Sequence, residues 1–314
     1  MSLVIEQPGL FSTIQDLGRV GFQRIGVPPS GALDMLALRM GNAVLGQVPG
    51  TAALEMCRIG ITARVDAESI RFCITGADVP ATLDGVELAP WRSHRAVRGQ
   101  ALRIGRIRGG AAYLCIRGGF AIAPVLGSLS TYTRASLGGF HGRRLEPGDV
   151  LPLTLTEAAP GREHLLPHPV PAERGRPLRV LLGPHAEMFT EAAIRTLLSE
   201  AYQVTNNADR LGMRLAGTAL EHVGATEIVS DGNSTGCLQV PGDGQPMVLM
   251  PDRHTAGGYP KIATVITADL HRLGQALPGS QLRFEAVAPE QAETAAWLLE
   301  RAVQTSIASI RELP

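Results

Sequence analysis

Turn-forming residues interrupt this chain so often that few segments are long enough for a helix. Its 314 residues include 36 glycines and 22 prolines, whereas aromatic residues make up only 4%. Glycine and proline are typical of turns, and both are disfavoured in the interior of helices. This balance predicts many short strands joined by tight turns.

The length and the spacing of prolines predict two domains. A chain of this length suits two domains of ordinary size, each able to bury a core. Five prolines fall between residues 154 and 178, where no periodicity is visible. Because linkers are often rich in proline, we place the boundary there and assign 1–160 and 161–314 to two β-rich domains.

The local patterns predict a fold of the α+β class that is mainly β. Residues 51–153 are a succession of short strands and turns, with Asp84-Gly85 as a hairpin turn, which is typical of a barrel or a sandwich. Helices are predicted to start at Ser30, Thr190 and Thr267, whose hydroxyls can cap free amides. A long amphipathic helix is predicted from Pro289.

Charge and hydropathy exclude several classes of protein. The 29 basic and 29 acidic residues cancel, so the positive surface of a nucleic-acid-binding protein is not expected. The N-terminus lacks the pattern of a signal peptide, and no apolar run is long enough to span a membrane. The four cysteines lie in apolar runs without a CxxC pair, so we expect buried thiols in a cytoplasmic protein.

The segment "MPDRHTAGGYPKIA" holds Lys261, the only lysine among the 29 lysine and arginine residues. A phosphate-binding loop needs Gly-Lys-Ser/Thr, and biotin attachment needs a lysine between methionines, so neither motif fits. No HExxH motif is present, and we expect no metal site. The lysine must therefore serve a different chemistry.

Lysine differs from arginine because its ammonium is a compact point charge whose pKa responds to burial. It can neutralise a carboxylate or a phosphate, or take part in proton transfer. Gly257 and Gly258 allow close approach of the backbone, and Pro260 stiffens the segment that carries Tyr259 and Lys261. A lysine on the surface without a role is the alternative.

A second polar cluster lies in "SDGNSTGCLQVPGDGQP", residues 230–246. Asp231 and Gln239 can present polar groups to a small ligand, although an ordinary turn cluster has the same composition. Cys237 is interpreted as a core residue rather than a nucleophile, since nothing near it in sequence lowers its pKa. We predict that Lys261 and the 231–239 segment face the same cleft.

Several motifs together resemble the biotin-dependent carboxyltransferase subdomain A/B family. They are "TIQDLGRVGFQRIGVPPSGALD", "GSLSTY", "DRLGMRLAG" and "DGQPMVLMPDRHTAGGYPKIATVITADL". This family includes the C subunit of bacterial 5-oxoprolinase, allophanate hydrolase subunit 2 proteins and the carboxyltransferase region of urea carboxylase. The resemblance covers nearly the whole chain and implies two subdomains of cyclophilin-like barrel type.

The resemblance also implies an activity and its partners. Family members of this kind look like one part of a three-component enzyme that opens the lactam of 5-oxo-L-proline to L-glutamate with ATP. A B-like subunit with carboxyltransferase subdomains C and D, and an A-like subunit, would complete the enzyme. ATP is expected at or with a partner subunit, and biotin is not expected on this chain.

The family's ligand segment maps onto residues 252–261 here. The resemblance implies catalytic roles for Asp252, Arg253, Tyr259 and Lys261, and substrate contacts for Gln239, Asp231, His254, Gly257 and Gly258.

Three positions depart from the family pattern, and one of them is Ala256, which stands where a threonine is expected. His254 stands where glutamine is expected, which adds a titratable side chain, and Leu129 stands where an arginine is expected. The loss of that arginine matters only if its side chain met a phosphate or a carboxylate.

Two other functions fit the same resemblance. One is carboxyl transfer between a separately carried carboxybiotin and urea or a similar amide. The other is a binding role without turnover, because some relatives look like antagonists of a histidine-kinase inhibitor.

Overall fold

The computed structural model describes residues 1–173 and 175–314 and divides them into two compact units. Unit 1 comprises residues 1–19, 30–171 and 302–314, and unit 2 comprises residues 20–29 and 172–301. Neither unit is continuous in sequence, since the short segment 20–29 belongs to unit 2. The assignment of 1–160 and 161–314 to two family subdomains stays a prediction.

Strands make up most of the regular structure in the described residues. In the first part of the chain they are β1 (Ser2–Gln7), β2 (Phe11–Gln15), β3 (Ala53–Ile59), β4 (Thr62–Val65), β5 (Ser69–Asp78), β6 (Ala81–Leu83), β7 (Val86–Glu87), β8 (Ser93–Val97), β9 (Ala101–Ile104), β10 (Arg106–Ile116), β11 (Val150–Pro152) and β12 (His164–Leu165). The rest are β13 (Leu178–Leu182), β14 (Tyr202–Ala208), β15 (Gly212–Ala216), β16 (Asp231–Gly232), β17 (Cys237–Gln239), β18 (Met247–Leu249), β19 (Ala256–Gly257), β20 (Lys261–Val265), β21 (Gln281–Leu282), β22 (Phe284–Ala286) and β23 (Arg311–Glu312).

The helices are few, as predicted. The α-helices are α1 (Met35–Val44), α2 (Glu191–Ser199), α3 (Leu270–Leu273) and α4 (Pro289–Ala308). Short 3₁₀ helices span Gln23–Ile25, Thr133–Ala135, Ala186–Met188 and Thr267–Asp269. The predicted α+β class, mainly β with a few helices, is confirmed.

Unit 1 is built on two sheets that share one core. The first has the strand order β11-β1-β4-β9-β6-β7 and the second β2-β3-β10-β5-β8. Alternate residues of both sheets point into a common cluster, which includes Leu3 of β1, Phe72 of β5, Leu102 of β9 and Leu114 of β10. The predicted hairpin turn is confirmed, since Leu83 pairs with Val86 across Asp84-Gly85.

Unit 2 contains an eight-stranded sheet that curls almost into a barrel. Its strand order is β21-β14-β15-β18-β17-β20-β13-β22. The two edge strands, β21 and β22, are separated in sequence by Arg283 alone. Because a single residue spans only ~3.5 Å, the two edges of the sheet must come close together. A barrel-like sheet removes most of the exposed edge that an open sheet would have.

One predicted helix start is wrong, and a second predicted start is found without the capping bond that was expected there. Ser30 does not begin α1, because it has a left-handed backbone with φ of 54° and the chain turns there. Asp34 caps α1 instead, and its Oδ1 accepts the Ala37 N–H at 3.0 Å. Thr267 makes no side-chain capping bond, because Thr267–Asp269 is a 3₁₀ turn in which the Ile266 carbonyl accepts the Asp269 N–H.

The cysteines and Leu129 can be compared with their predicted environments. Cys73, Cys115 and Cys237 are buried as predicted, whereas Cys57 is partly exposed because burial decreases toward the end of β3.

Leu129 packs against the core of unit 1 and its N–H donates to the Asp16 carboxylate. A leucine at this position therefore suits the apolar surroundings that the core of unit 1 provides.

Candidate functional site

The site forms around Lys261 at the start of β20. The side chain is buried, with only 4% of its surface exposed. Its Nζ donates to Oδ2 of Asp231 at 2.5 Å and to the Gly232 carbonyl at 2.6 Å. An ammonium carries three N–H donors, so two of them are satisfied by the protein. The burial of this charge is offset by two short contacts to oxygen atoms.

Asp231 reaches Lys261 because its segment pairs with the glycine loop. Strands β16 and β19 form a two-stranded antiparallel sheet in which Asp231 lies opposite Gly257 and Gly232 opposite Ala256. The hydrogen bond from Lys261 lowers the pKa of the Asp231 carboxyl, and that from the Gly232 N–H adds to it. Lys261 and the 231–239 segment therefore meet in one place, as predicted.

Gln239 and Gly257 are linked through Asn233. The Gln239 Nε2 donates to Asn233 Oδ1 at 3.1 Å and lies 3.5 Å from the Tyr259 carbonyl oxygen. A Cβ on Gly257 would come within 2.9 Å of both the Asn233 Nδ2 and the Gln239 Nε2 atoms. Glycine at position 257 therefore leaves both side chains in place, which explains part of the double glycine.

Arg253 is held by the polar loop that follows Asp231. Its Nε donates to the Asn233 carbonyl at 3.2 Å, and NH1 donates to the Thr235 hydroxyl at 2.8 Å. Burial lowers the pKa of its guanidinium from the ordinary value. Arg253 fixes the conformation of residues 233–235, the segment that follows Asp231 and Gly232.

The other predicted residues lie at different places in unit 2. Asp252 is buried in an ion pair with Arg210, with Oδ2 2.9 Å from Arg210 Nε, and so its carboxylate faces Arg210 rather than Lys261. Tyr259 is 39% exposed, and His254 is exposed on the loop before β19. Gly258 accepts the Ile228 N–H through its carbonyl at 2.8 Å.

His185 belongs to this site, although the sequence did not indicate it. Its Nδ1 lies 3.4 Å from the Lys261 backbone nitrogen, and its charge contributes to the lowered pKa of Asp231. Gly183, just before it, lies so close to β20 that a Cβ there would be 2.1 Å from the Lys261 carbonyl oxygen. The only local signal is the Gly-Pro-His turn after β13.

A cavity of about 420 Å³ opens next to these residues. It is lined by residues from 23–26, from 232–233 and from 255–256. All of them belong to unit 2. Gly232, whose carbonyl accepts from Lys261, is thus also part of the cavity wall. The volume lies within the range of small-molecule sites.

Cys237 is unsuited to nucleophilic chemistry. Burial raises the pKa of its thiol to about 11, although the nearby Lys261 charge acts in the opposite direction. The thiol therefore stays protonated near neutral pH, where it packs as a small apolar side chain. This result supports the interpretation of Cys237 as a core residue.

Neither a metal centre nor a membrane-spanning helix is found in the described part of the chain. Among residues 1–173 and 175–314, no group of three or more histidine, cysteine, aspartate or glutamate side chains is arranged to hold a metal ion. No helix in these ranges is long and apolar enough to cross a membrane.

Comparisons with known proteins define the class of this chain. Residues 25–286 match the family described as the carboxyltransferase domain, subdomain A and B, and the chain belongs to this family. The C subunit of 5-oxoprolinase from Haemophilus influenzae is 37% identical over 285 residues, which are 90% of this chain and 90% of that protein.

Longer proteins contain the same domain. The urea amidolyase of Saccharomyces cerevisiae is 34% identical over 304 residues, which cover 90% of this chain but only 16% of that protein. The crystal structure of the Kluyveromyces lactis urea carboxylase aligns with a TM-score of 0.88 at 28% identity. That alignment covers 100% of this chain and 30% of the carboxylase.

Proposed function

We propose that this chain is the C-like component of an ATP-dependent 5-oxoprolinase. Together with A-like and B-like subunits, it would help to open the lactam of 5-oxo-L-proline to L-glutamate. The observation that carries this proposal is the match in length, because the C subunit of a bacterial 5-oxoprolinase aligns over 90% of both chains. The urea amidolyase match covers only 16% of that protein.

The geometry around Lys261 suits this chemistry. A lactam is a poor electrophile, and phosphorylation of its oxygen would create a leaving group while negative charge accumulates at the substrate. Lys261 is buried, so its charge is weakly screened, and Asp231 and Gly232 hold its ammonium in place. The third N–H of that ammonium can donate to the substrate oxygen, and such a preorganised donor stabilises developing charge.

We place the ATP site at the partner subunits rather than around Lys261. Lys261 and Arg253, the two buried cations of this site, already donate to protein oxygen atoms. A triphosphate needs several cationic or backbone donors at once. Biotin attachment is likewise not proposed for this chain, because the Lys261 Nζ is buried and bonded.

Carboxyl transfer to urea is the second candidate. The observation in its favour is the TM-score of 0.88 to the urea carboxylase over the full length of this chain. In that function, a carboxybiotin carried by another protein would deliver the carboxyl group, and Lys261 would lie near its ureido oxygen. The two candidates differ in substrate and in the partners that they require.

The test is reconstitution with the A-like and B-like subunits from the same genome. The assay is ATP-dependent release of glutamate from 5-oxo-L-proline, with the wild-type chain and with Lys261→Ala and Lys261→Arg. We expect both variants to lose ~100-fold or more in kcat, the size of effect seen when one preorganised donor is removed. The Arg variant keeps the charge, but its planar fork does not fit between two acceptors at 2.5 and 2.6 Å.

Arg283→Gln is the matched control, because Arg283 is an exposed arginine of unit 2 that does not line the cavity. It should retain wild-type turnover. Complex formation is followed by native mass spectrometry, so that a loss of activity is not mistaken for a loss of assembly. A stable complex in which the wild-type chain gives no glutamate would reject the oxoprolinase function, and urea with a biotin carrier would be tested next.

A further inference from the structure

The cavity beside Lys261 has a wall formed by the short segment 20–29. The 3₁₀ helix Gln23–Ile25 ends at Gly26, which has a left-handed backbone with φ of 84°. Gln23, Arg24 and Gly26 of this turn line the cavity together with residues of β16 and β19. The family resemblance implies no role for Arg24.

Arg24 differs from the other cations of the site in having no acceptor. Lys261 donates to Asp231 and Gly232, and Arg253 donates to Asn233 and Thr235. The guanidinium of Arg24 makes no hydrogen bond or ion pair with any residue in the described ranges. It lies on an open cavity rather than on a convex surface.

We propose that this cavity binds the carboxylate of a small-molecule substrate, with Arg24 as its ion partner. A guanidinium donates two parallel hydrogen bonds to a carboxylate, which sets orientation as well as affinity. The side chains of Gln23 and Thr255, which also line the cavity, add neutral donors. The cavity of about 420 Å³ has room for a small carboxylic acid.

The identity of the ligand as 5-oxo-L-proline rests on the proposed function. That molecule combines a lactam with a carboxylate, and the carboxylate needs a cation that the protein has not already used. Arg24 supplies it at the cavity wall, and Gly232, whose carbonyl accepts from the Lys261 ammonium, lines the same cavity. Urea has no carboxylate, so Arg24 would discriminate between the two candidate substrates.

The experiment compares two ligands that differ only in the carboxylate. Binding of 5-oxo-L-proline and of 2-pyrrolidinone is titrated by ligand-observed NMR against the full chain assembled with its partner subunits. We expect the wild-type protein to prefer 5-oxo-L-proline by ~10–100-fold, the range for a charge-assisted hydrogen-bonded pair. Arg24→Gln should abolish this preference, Arg24→Lys should keep part of it, and Arg283→Gln should leave it unchanged.

Turnover is measured on the same samples so that the two proposals can fail separately. If the wild type releases glutamate and Arg24→Gln changes neither the KM nor the preference, the carboxylate site is rejected and the oxoprolinase function stands. If the wild type gives no glutamate but shows a preference that depends on Arg24, the carboxylate site stands and the oxoprolinase function fails. A wild type without any preference for the carboxylate rejects the inference directly.

Discussion

A single lysine in an arginine-rich chain is explained by the size of the space that it occupies. The Lys261 Nζ lies between two oxygen atoms, at 2.5 Å from Asp231 and 2.6 Å from Gly232, and only 4% of the lysine's surface is exposed. A point-like ammonium can satisfy both acceptors and still keep one donor. A guanidinium spreads its donors over a plane, so it would need a wider site.

The Lys261–Asp231 pair predicts how stability depends on pH. The hydrogen bond from Lys261 comes first among the causes that lower the pKa of Asp231 below its ordinary value of 3.8. Because the folded-state pKa is the lower one, the stabilisation is fully present above the unfolded-state pKa and is lost as the pH falls through the folded-state pKa. We expect Asp231→Asn to unfold at a lower temperature than the wild type near neutral pH.

Thermal unfolding from about pH 7 to about pH 3 measures this prediction. The gap in Tm between the wild type and Asp231→Asn should be constant well above pH 3.8 and should shrink as the pH approaches and falls below that value. If the difference in Tm does not shrink toward about pH 3, the asparagine variant is destabilised for another reason.

Gly257 is predicted to be intolerant of a side chain. An added Cβ would lie 2.9 Å from the amide nitrogens of Asn233 and Gln239, both of which are buried. We expect Gly257→Ala to lose about 1–3 kcal/mol of unfolding free energy, since the Asn233–Gln239 hydrogen bond must shift. Gly232→Ala is the comparison for stability, because nothing lies within 4 Å of its Cβ position. Urea denaturation measures both, and equal losses would contradict the steric argument.

At the scale of elements, the same type of capping signal was right at one threonine and wrong at another. Thr190 caps α2, with its Oγ1 accepting the Ala193 N–H at 3.1 Å. Thr267 has the same chemistry, but the 3₁₀ turn that follows it satisfies the backbone amide through the Ile266 carbonyl. Sequence therefore predicts that a helix starts nearby but not which group satisfies its amides.

This difference can be measured in a matched pair of variants. Thr190→Ala should cost about 1 kcal/mol of unfolding free energy, which is typical of losing an N-cap. Thr267→Ala should change stability by less than about 0.5 kcal/mol, because its hydroxyl makes no capping bond. Chemical denaturation of the two variants and the wild type measures these changes in unfolding free energy. A larger loss for Thr267→Ala than for Thr190→Ala would contradict the assignment of Thr190 as the capping residue.

The parts of the site that were predictable are those encoded locally. Residues 252–261 carry Arg253, Tyr259 and Lys261 on one short segment, so their motif was visible in sequence. His185 meets Lys261 across 76 residues, and Arg210 meets Asp252 across 42. These pairings depend on the order of strands in the sheet, which composition and periodicity do not determine.

At the scale of the whole molecule, many short strands were predictable but their arrangement was not. The glycine and proline content indicates turns, yet the same pattern suits a sandwich and a barrel. Unit 1 takes up two sheets over one core, whereas the eight-stranded sheet of unit 2 brings its edge strands β21 and β22 together around Arg283. The segment 20–29, which supplies Arg24, belongs to unit 2 although it lies near the N-terminus.

The two tryptophans make it possible to follow each unit by itself. Trp91 belongs to unit 1 and Trp297 to unit 2, so labelling with 5-fluorotryptophan gives one NMR signal for each. Leu102 and Leu238 are fully buried in unit 1 and unit 2, respectively. Each substitution by alanine should cost about 2–5 kcal/mol, the usual range for a leucine removed from a core.

We expect Leu102→Ala to shift the urea midpoint of the Trp91 signal more than that of Trp297, and Leu238→Ala to do the reverse. The reason is that each leucine loses its contacts within the core of its own unit. Both signals in the wild type are recorded as the reference, together with the slope of each transition. If either substitution moves both midpoints equally, the two cores unfold as one cooperative body, and the chain must then be treated as a single folding unit.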